Sequence, residues 1–289
     1  MNWLPRTLLV CALVTFAGVP QSARDSSAVL TDVAVGPSVE ISAWTTCGVN
    51  VYRDAVLAKS PQAYLRMVGS GTSEASVGSV SLAWTWTLAP TLAPSALSCD
   101  ANQSASISAT RWLSSEHRVY VASDSAPFSY ALWFKASAGA RGVLFSSAAG
   151  RISSGSNVRG DRALWITPTG LLAVVVSDGP STRTITSPSV VTDGSWHFAV
   201  VTLQSNESGT ARGTRLYLDG PQVAFGSGMR KGLVPAANES WRVGPATLDT
   251  NVGTLAPTTN FAGTIDEVAV WDVTLTDAQI ASIWAARNG

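Results

Sequence analysis

The stretch FAGTIDEVAVWDVTLTDAQIASIW (261–284) sets two carboxylates side by side, Asp266 and Glu267, inside an otherwise apolar run. Adjacent carboxyls can share acid–base work, hold a cation, or sit at the edge of a packed sheet. The residues around them alternate as a β-strand does, and neighbours in a regular strand face opposite sides. Retaining glycoside hydrolysis needs two carboxyls about 5–5.5 Å apart, flanking the scissile bond. Strands supply that separation from positions two or four apart or from facing strands, so Asp266 and Glu267 are predicted not to be a catalytic pair. A glycosidase would instead need dispersed carboxylates such as Asp161, Asp178 and Asp249.

Other nucleophile and metal signatures are missing. The chain has no Gly-x-Ser-x-Gly, no His-Glu-x-x-His and no cysteine with a partner histidine. The two histidines, His117 and His197, stand alone, and His197 reads as a solvated or satisfied strand residue beside Trp196. Of three cysteines, Cys11 lies in the apolar core of an N-terminal targeting segment, which leaves Cys47 and Cys99. Two thiols in an oxidising compartment most simply form one disulfide. It would close a loop of about 50 residues and stabilise by about 4 kcal/mol in the chain-entropy picture.

The bulk composition narrows the setting. Charged residues are 13% of the 289 residues and the net charge is zero. A sequence-independent nucleic-acid binder needs clustered Lys and Arg, so no nucleic-acid partner is expected. Residues 1–28 read as a signal peptide: Arg6, then TLLVCALVTFAGV (7–19), then small residues ending at Ala23 or Ala28. No later run is apolar enough to span a bilayer, so the mature chain is expected to be secreted, extracellular or at the cell surface. Residues 29–49 form a leader or added edge segment, and 50–289 one large domain.

The elements that must position any site are strands. RALWITPTG and LLAVVVSDG are strand-length runs closed by glycine turns, a hairpin pattern. TDGSWHFAVVTLQ (192–204) puts Trp196, Phe198 and Val200 on one face, and TRLYLDGPQVAF (214–225) is a hairpin with Asp219-Gly220 at its tip. One helix is predicted, at the C-terminus: Thr276 and Gln279 fit a capping box, and Ile280, Ile283 and Trp284 share a face. Trp133, Trp196, Trp271 and Trp284 are expected to fill the gap between sheets. For Trp84, Trp86, Trp112 and Trp241, core packing and exposed stacking on sugars both stay open. The fold class is all-β: a two-sheet antiparallel sandwich with one short C-terminal helix.

The segments APFSYALWFKAS, GVLFSS, GLLAVVVSD, VVTDGSWHFAVVTL, TRLYLDG, WRVG and FAGTIDEVAVWDVTLTDAQIASIW occur in an order that resembles laminin-G-like domains of the concanavalin A-like lectin/glucanase superfamily. The resemblance covers roughly residues 50–287, and the leader faintly resembles the starts of exported Gram-positive surface proteins. It implies a jelly-roll sandwich, often with one structural calcium and usually serving binding or adhesion. It also implies Asp266 as an acidic metal ligand, although Glu74 is the only carboxylate in the segment where relatives carry further acids. Glucanases of this fold use Glu-x-Asp-x-x-Glu on one strand face, which this chain lacks. The expected function is therefore a non-catalytic recognition module for a glycan or cell-wall polymer. The alternative is a structural or adhesive surface protein binding other proteins or itself. The polar loops 151–162 and 245–260 are candidate contact regions, and the sequons at Asn102, Asn206 and Asn238 predict surface loops.

Overall fold

The computed structural model describes residues 48, 50–69, 71–80, 82–100, 102–115, 126–149, 160–177, 182–204, 213–229, 239–246 and 260–289. The targeting segment, leader, Cys47, His117, Asp178, Asp249, Asn206 and Asn238 lie outside them, as do most of the two polar loops. In chain order the first elements are α1 (Val51–Leu57), β1 (Ala63–Leu65), β2 (Ser73–Glu74), β3 (Ser76–Val77), β4 (Trp84–Trp86) and β5 (Thr91–Pro94). Then come β6 (Gln103–Ile107), β7 (Leu113–Ser115), β8 (Phe128–Lys135), β9 (Gly142–Ala149), β10 (Gly160–Ile166) and β11 (Leu171–Ser177). The last are β12 (Thr182–Val190), β13 (Trp196–Gln204), β14 (Gly213–Leu218), β15 (Gln222–Ser227), β16 (Glu239–Val243), β17 (Gly263–Trp271) and α2 (Asp277–Ala285).

Two antiparallel sheets result. The first runs β15-β14-β13-β8-β17-β1-β3, with β6 also paired to β17 and β5 beyond it. The second runs β12-β11-β10-β9-β16-β7-β4-β2. Alternation along each strand sends one set of side chains into the space between the sheets. Leu132 and Phe134 of β8, Leu164 and Ile166 of β10, and Trp241 and Val243 of β16 all meet there. Aromatic rings fill the middle: Tyr130 lies 4.9 Å from Phe145, and Phe145 stacks on Trp241 at 5.0 Å. Trp84 and Trp86 are buried in the same layer, which settles them as core residues.

The outer face of the first sheet is covered as well. Trp133, Phe198, Tyr217 and Trp271 pack against Tyr52 and Val56 of α1 and Ile280 and Ile283 of α2. Trp133 and Trp271 are thus buried beneath helices and not between the sheets; Trp196 and Trp284 pack against that layer half-buried. The α2 cap forms as predicted: Gln279 N–H donates to Thr276 Oγ1 at 3.2 Å, and Thr276 N–H donates to Gln279 Oε1 at 2.8 Å. Helix α1 is an addition to the sequence-based expectation of one helix. It has seven residues, no side-chain cap and one buried pair, Tyr52 and Val56, so its helical signal is weak. Tertiary packing holds it, including the Trp133 indole N–H donating to Tyr52 Oη at 3.0 Å.

The β14–β15 hairpin turns at Asp219 (φ 53°) and Gly220 (φ 105°), as its sequence predicts. A Cβ on Gly220 would stand 2.7 Å from Trp284 Cδ1. Gly220→Ala combines an unfavourable backbone with that overlap and is expected to cost about 1–3 kcal/mol, read as a lower urea midpoint with an unchanged slope.

Candidate functional site

The acidic pair does not follow regular strand alternation. On β17, Asp266 pairs with Trp133 and the next paired residue, Ala269, with Ala131, so Glu267 and Val268 together oppose Leu132. Glu267 adopts φ 52°, the left-handed region that a glutamate rarely enters. This β-bulge resets the alternation. Ile265 and Val268 point into the inter-sheet core, while Asp266 and Glu267 both join the polar network on the helix-covered side. The expectation that the two carboxyls face opposite sides is overturned by the bulge.

Each carboxyl is held by donors. Asp266 Oδ2 accepts from the Ser95 hydroxyl and the Ala96 N–H, both at 2.9 Å. Its Oδ1 accepts from the Glu267 N–H at 2.9 Å and the Asn102 amide at 3.4 Å. Glu267 accepts from the Tyr64 hydroxyl and the Asn102 amide, with Arg66 Nε at 3.8 Å. Arg66 also pairs with Asp100. Asn102 is therefore a buried connector whose amide also donates to the Arg66 carbonyl at 3.1 Å; this corrects the expectation that its sequon marks a surface loop. Burial pushes the Asp266 carboxyl up to about 7, against the lowering effect of Ala96, Ser95 and the Glu267 N–H. Burial also raises Glu267, and the charge of Asp266 raises it further.

This arrangement anchors the chain: Asp266 ties residues 95–96 to β17, and Asn102 ties the start of β6 to the same point. It does not fit calcium, which takes six to eight oxygens, usually more than one of them from carboxylates. The Asp266 oxygens already receive four donors. The buried oxygens left without a donor in this network are Asp100 Oδ2 and Asn102 Oδ1. No group of three acids, histidines or cysteines among the described residues could hold a metal ion. Asp266 therefore serves as an anchor in this structure. Glu74, the acid of the upstream segment, is buried and accepts from the Trp86 indole and the Val68 and Gly69 N–H groups.

His197 is a satisfied strand residue. Its Nδ1 lies 2.8 Å from Asp219 and its Nε2 3.2 Å from Asp193, linking β13 to two turns. The hydrogen bond to Asp219 raises its pKa above the ordinary histidine value, against the opposing effect of burial. Cys99 is disulfide-bonded, and its expected partner Cys47 lies outside the described residues. The side chain of Asp161 also lies outside them.

An open groove crosses the outer face of the first sheet where α2 begins. It has two lobes, about 440 Å³ and about 390 Å³, that share Tyr217 and Asp277. The Tyr217 hydroxyl donates to Asp277 at 2.6 Å, and both residues line both lobes. Gln204 and Arg215 line the larger lobe, joined by a 2.7 Å hydrogen bond. Gln222 and Trp284 line the smaller one. None of these residues stands out by type or spacing along the chain. The signal that does exist is the alternation of β14: Leu216 and Leu218 point inward, which sends Arg215 and Tyr217 out.

A sequence profile described as the concanavalin A-like lectin/glucanases superfamily matches residues 103–281, more than half of the chain. The chain belongs to that superfamily. No curated protein sequence matches it. Among solved structures, the binding domain of Paraclostridial Mosquitocidal Protein 1 superposes with a TM-score of 0.57 at 9% identity, over 79% of this chain and 52% of that one. A structure of botulinum neurotoxin type C, a toxin that depends on interaction with two ganglioside molecules to enter cells, gives 0.57 at 10%, over 80% and 52%. The Trypanosoma rangeli sialidase with the inhibitor DANA gives 0.53 at 11%, over 77% and 32%. This lectin-like chain thus spans about half the length of the toxin binding domains it matches, and the likeness is one of fold. No helix among the described residues is long and apolar enough to cross a membrane.

The raised carboxyl at Asp266 makes stability depend on pH. A group whose folded pKa lies above its unfolded value stabilises most fully below the unfolded value, about 4 for an aspartate. For Asp266 that contribution fades as pH rises to about 7. His197 acts with the same sign, its contribution lost as pH rises through its raised value. Urea unfolding between about pH 4 and pH 8 should show falling stability, with up to about 4 kcal/mol attributable to Asp266. Asp266→Asn should flatten that slope; an unchanged slope would place the proton elsewhere.

Proposed function

We propose that this chain is a secreted, non-catalytic recognition domain that binds carbohydrate, a glycan or cell-wall polymer, along the Tyr217–Asp277 groove. The observation that carries this reading is the groove itself. It sets a guanidinium, two amides and a carboxylate around an open hollow with Trp284 at one end, and the buried Tyr217 hydroxyl holds the carboxylate of Asp277 in place. Sugars are recognised through such planar and carboxylate groups, which hydrogen-bond hydroxyls, and through flanking aromatic surface. The ganglioside with which the structurally similar neurotoxin type C interacts is a glycan-bearing ligand of that protein and agrees with the proposal. Enclosure of Asp266 and Glu267 among hydrogen-bond donors supports a non-catalytic role. Export and a Cys47–Cys99 disulfide complete the proposal, resting on the N-terminal segment and on Cys99 as one disulfide half.

A second reading, adhesion to protein, is favoured by Phe225 of β15, an aromatic side chain exposed on the outer face of the first sheet beside its cross-strand partner Arg215. An exposed aromatic ring can anchor a protein partner. The binding domain of botulinum neurotoxin DC, another protein of similar fold, forms a complex with rat synaptotagmin II, a protein ligand of that domain.

The deciding experiment is an array of glycans and cell-wall polymers probed with the protein in calcium and again in EDTA. Saturable binding that survives EDTA is expected, with Arg215→Ala and Gln204→Ala each weakening it about 3–10-fold, the loss of one or two hydrogen bonds. Binding lost in EDTA would restore a calcium requirement. Silence in both buffers, with self-association, would favour adhesion. Turnover of a polysaccharide would overturn the non-catalytic reading.

A further inference from the structure

The second sheet carries an arrangement that the groove does not use. On β16, Trp241 and Val243 point into the core, so Arg242 between them lies on the opposite, outer face. Its cross-strand partners are Ser114 of β7 on one side and Ser146 of β9 on the other. Cross-strand partners share a face, so the three form one row, Ser114–Arg242–Ser146. All three are buried. Among the described residues, neither serine hydroxyl has a hydrogen-bond partner, and neither do Arg242 Nε and Nη2. The remaining guanidinium nitrogen, Nη1, donates to the Pro245 carbonyl at 3.5 Å. The group lies 5.6 Å from the Trp112 ring centroid, and the Trp112 indole N–H is also buried without a partner among the described residues.

The choice of open atoms is informative. Nε and Nη2 are the two nitrogens on one edge of the guanidinium, the edge that grips both oxygens of a carboxylate in parallel hydrogen bonds. Nη1 is tethered to the backbone and Trp112 supports the plane, so the free edge is held in place. Among the described residues no carboxylate forms an ion pair with Arg242, and burial alone lowers its pKa. A buried cation without a counter-ion is costly to the fold, and buried hydroxyls without partners add to the cost. A row of Ser-Met-Ser or Ala-Leu-Ala would avoid that cost. Arg162 marks the contrast. It is also buried without a hydrogen-bond partner among the described residues, yet it points into the space between the sheets, 4.6 Å from the Phe128 ring centroid.

We propose that the Ser114–Arg242–Ser146 row is a binding site for a carboxylate group, gripped by the Nε/Nη2 edge of Arg242 and flanked by the two serine hydroxyls. The site is separate from the Tyr217–Asp277 groove and does not depend on the carbohydrate reading. Its ligand class is a small carboxylate or the carboxylate of an acidic sugar.

The test uses the protein in thermal unfolding and in NMR titration of arginine Nε–H signals. The probes are sodium acetate and sodium glucuronate, with sodium chloride at matched ionic strength, glucose and inorganic phosphate as controls. Acetate or glucuronate should raise Tm saturably and shift the Arg242 Nε–H signal, while chloride and glucose should not. Ligand-free Arg242→Met should melt about 2–4 °C higher than the wild type, because a buried charge with no counter-ion among the described residues is gone, and should lose the carboxylate response. Ser146→Ala should fold normally and weaken carboxylate binding about 3–10-fold. Arg215→Ala, in the groove, should leave the acetate response unchanged. The proposal is overturned if neither carboxylate binds, if Arg242→Met melts lower than the wild type, if that variant keeps the response, or if phosphate binds more tightly than acetate.

Discussion

The fold turns on a left-handed glutamate. Glu267 at φ 52° costs on the order of 1–3 kcal/mol relative to an extended residue, and what that cost obtains is two adjacent carboxyls on one side of β17. Strand β17 lies between β8 and the short strands β1 and β6. Those short strands have too few ladder bonds to be fixed by pairing alone. Asp266 holds residues 95–96, Asn102 reaches both carboxyls from the start of β6, and Tyr64 of β1 donates to Glu267. This network fastens the N-terminal third of the domain to the C-terminal strand, alongside the burial of Leu65, Met67, Trp84, Trp86 and Ile107 in the core.

The same network explains the helical layer. Once β1 and β6 are in place, Tyr64 and Trp271 present an apolar surface that α1 and α2 cover together. Helix α1 lacks a cap and spans two turns, so it has little stability of its own. It persists because Tyr52 lies edge-on to Trp133 and Phe198, at 6.3 and 6.4 Å, and accepts the Trp133 indole proton. Helix α2 brings its own start signal and is less dependent on its surroundings.

This difference also decides what is legible in the sequence. The Asp219-Gly220 turn, the Thr276–Gln279 box, the strand-length runs of the β10–β11 hairpin and the one-face pattern of β13 are local, and each forms where its residues predict. Helix α1, the bulge at Glu267 and the burial of Asn102 are not local. A strand pattern alone cannot show that a second residue will be squeezed opposite Leu132. A sequon cannot show that its asparagine is needed between two carboxyls. Alternation assigns Trp133 and Trp271 to packing but to the wrong layer, because it gives the face of a strand and not what lies beyond it. The groove lies on legible elements, yet its residues come from β13, β14 and α2, which only the folded chain brings together.

A chain with so few charges makes each buried one informative. With 13% charged residues, the polar character of the chain rests largely on uncharged residues such as Ser and Thr. Arg66 has acidic neighbours on both sides and is explained by them. Arg215 lies over Phe225 at 4.8 Å and bonds Gln204, which suits a half-buried residue at a groove. Arg162 and Arg242 have aromatic neighbours and no counter-ion among the described residues. An aromatic face offsets part of a cation's desolvation but leaves its N–H groups unsatisfied. Nothing in the structure explains Arg162 beyond its ring contact. For Arg242 the hydroxyls arrive on both sides in strand register, and register is strongly specified wherever one face of a sheet is buried in the core. Three polar residues aligned across three strands by that register are held as firmly as the core itself.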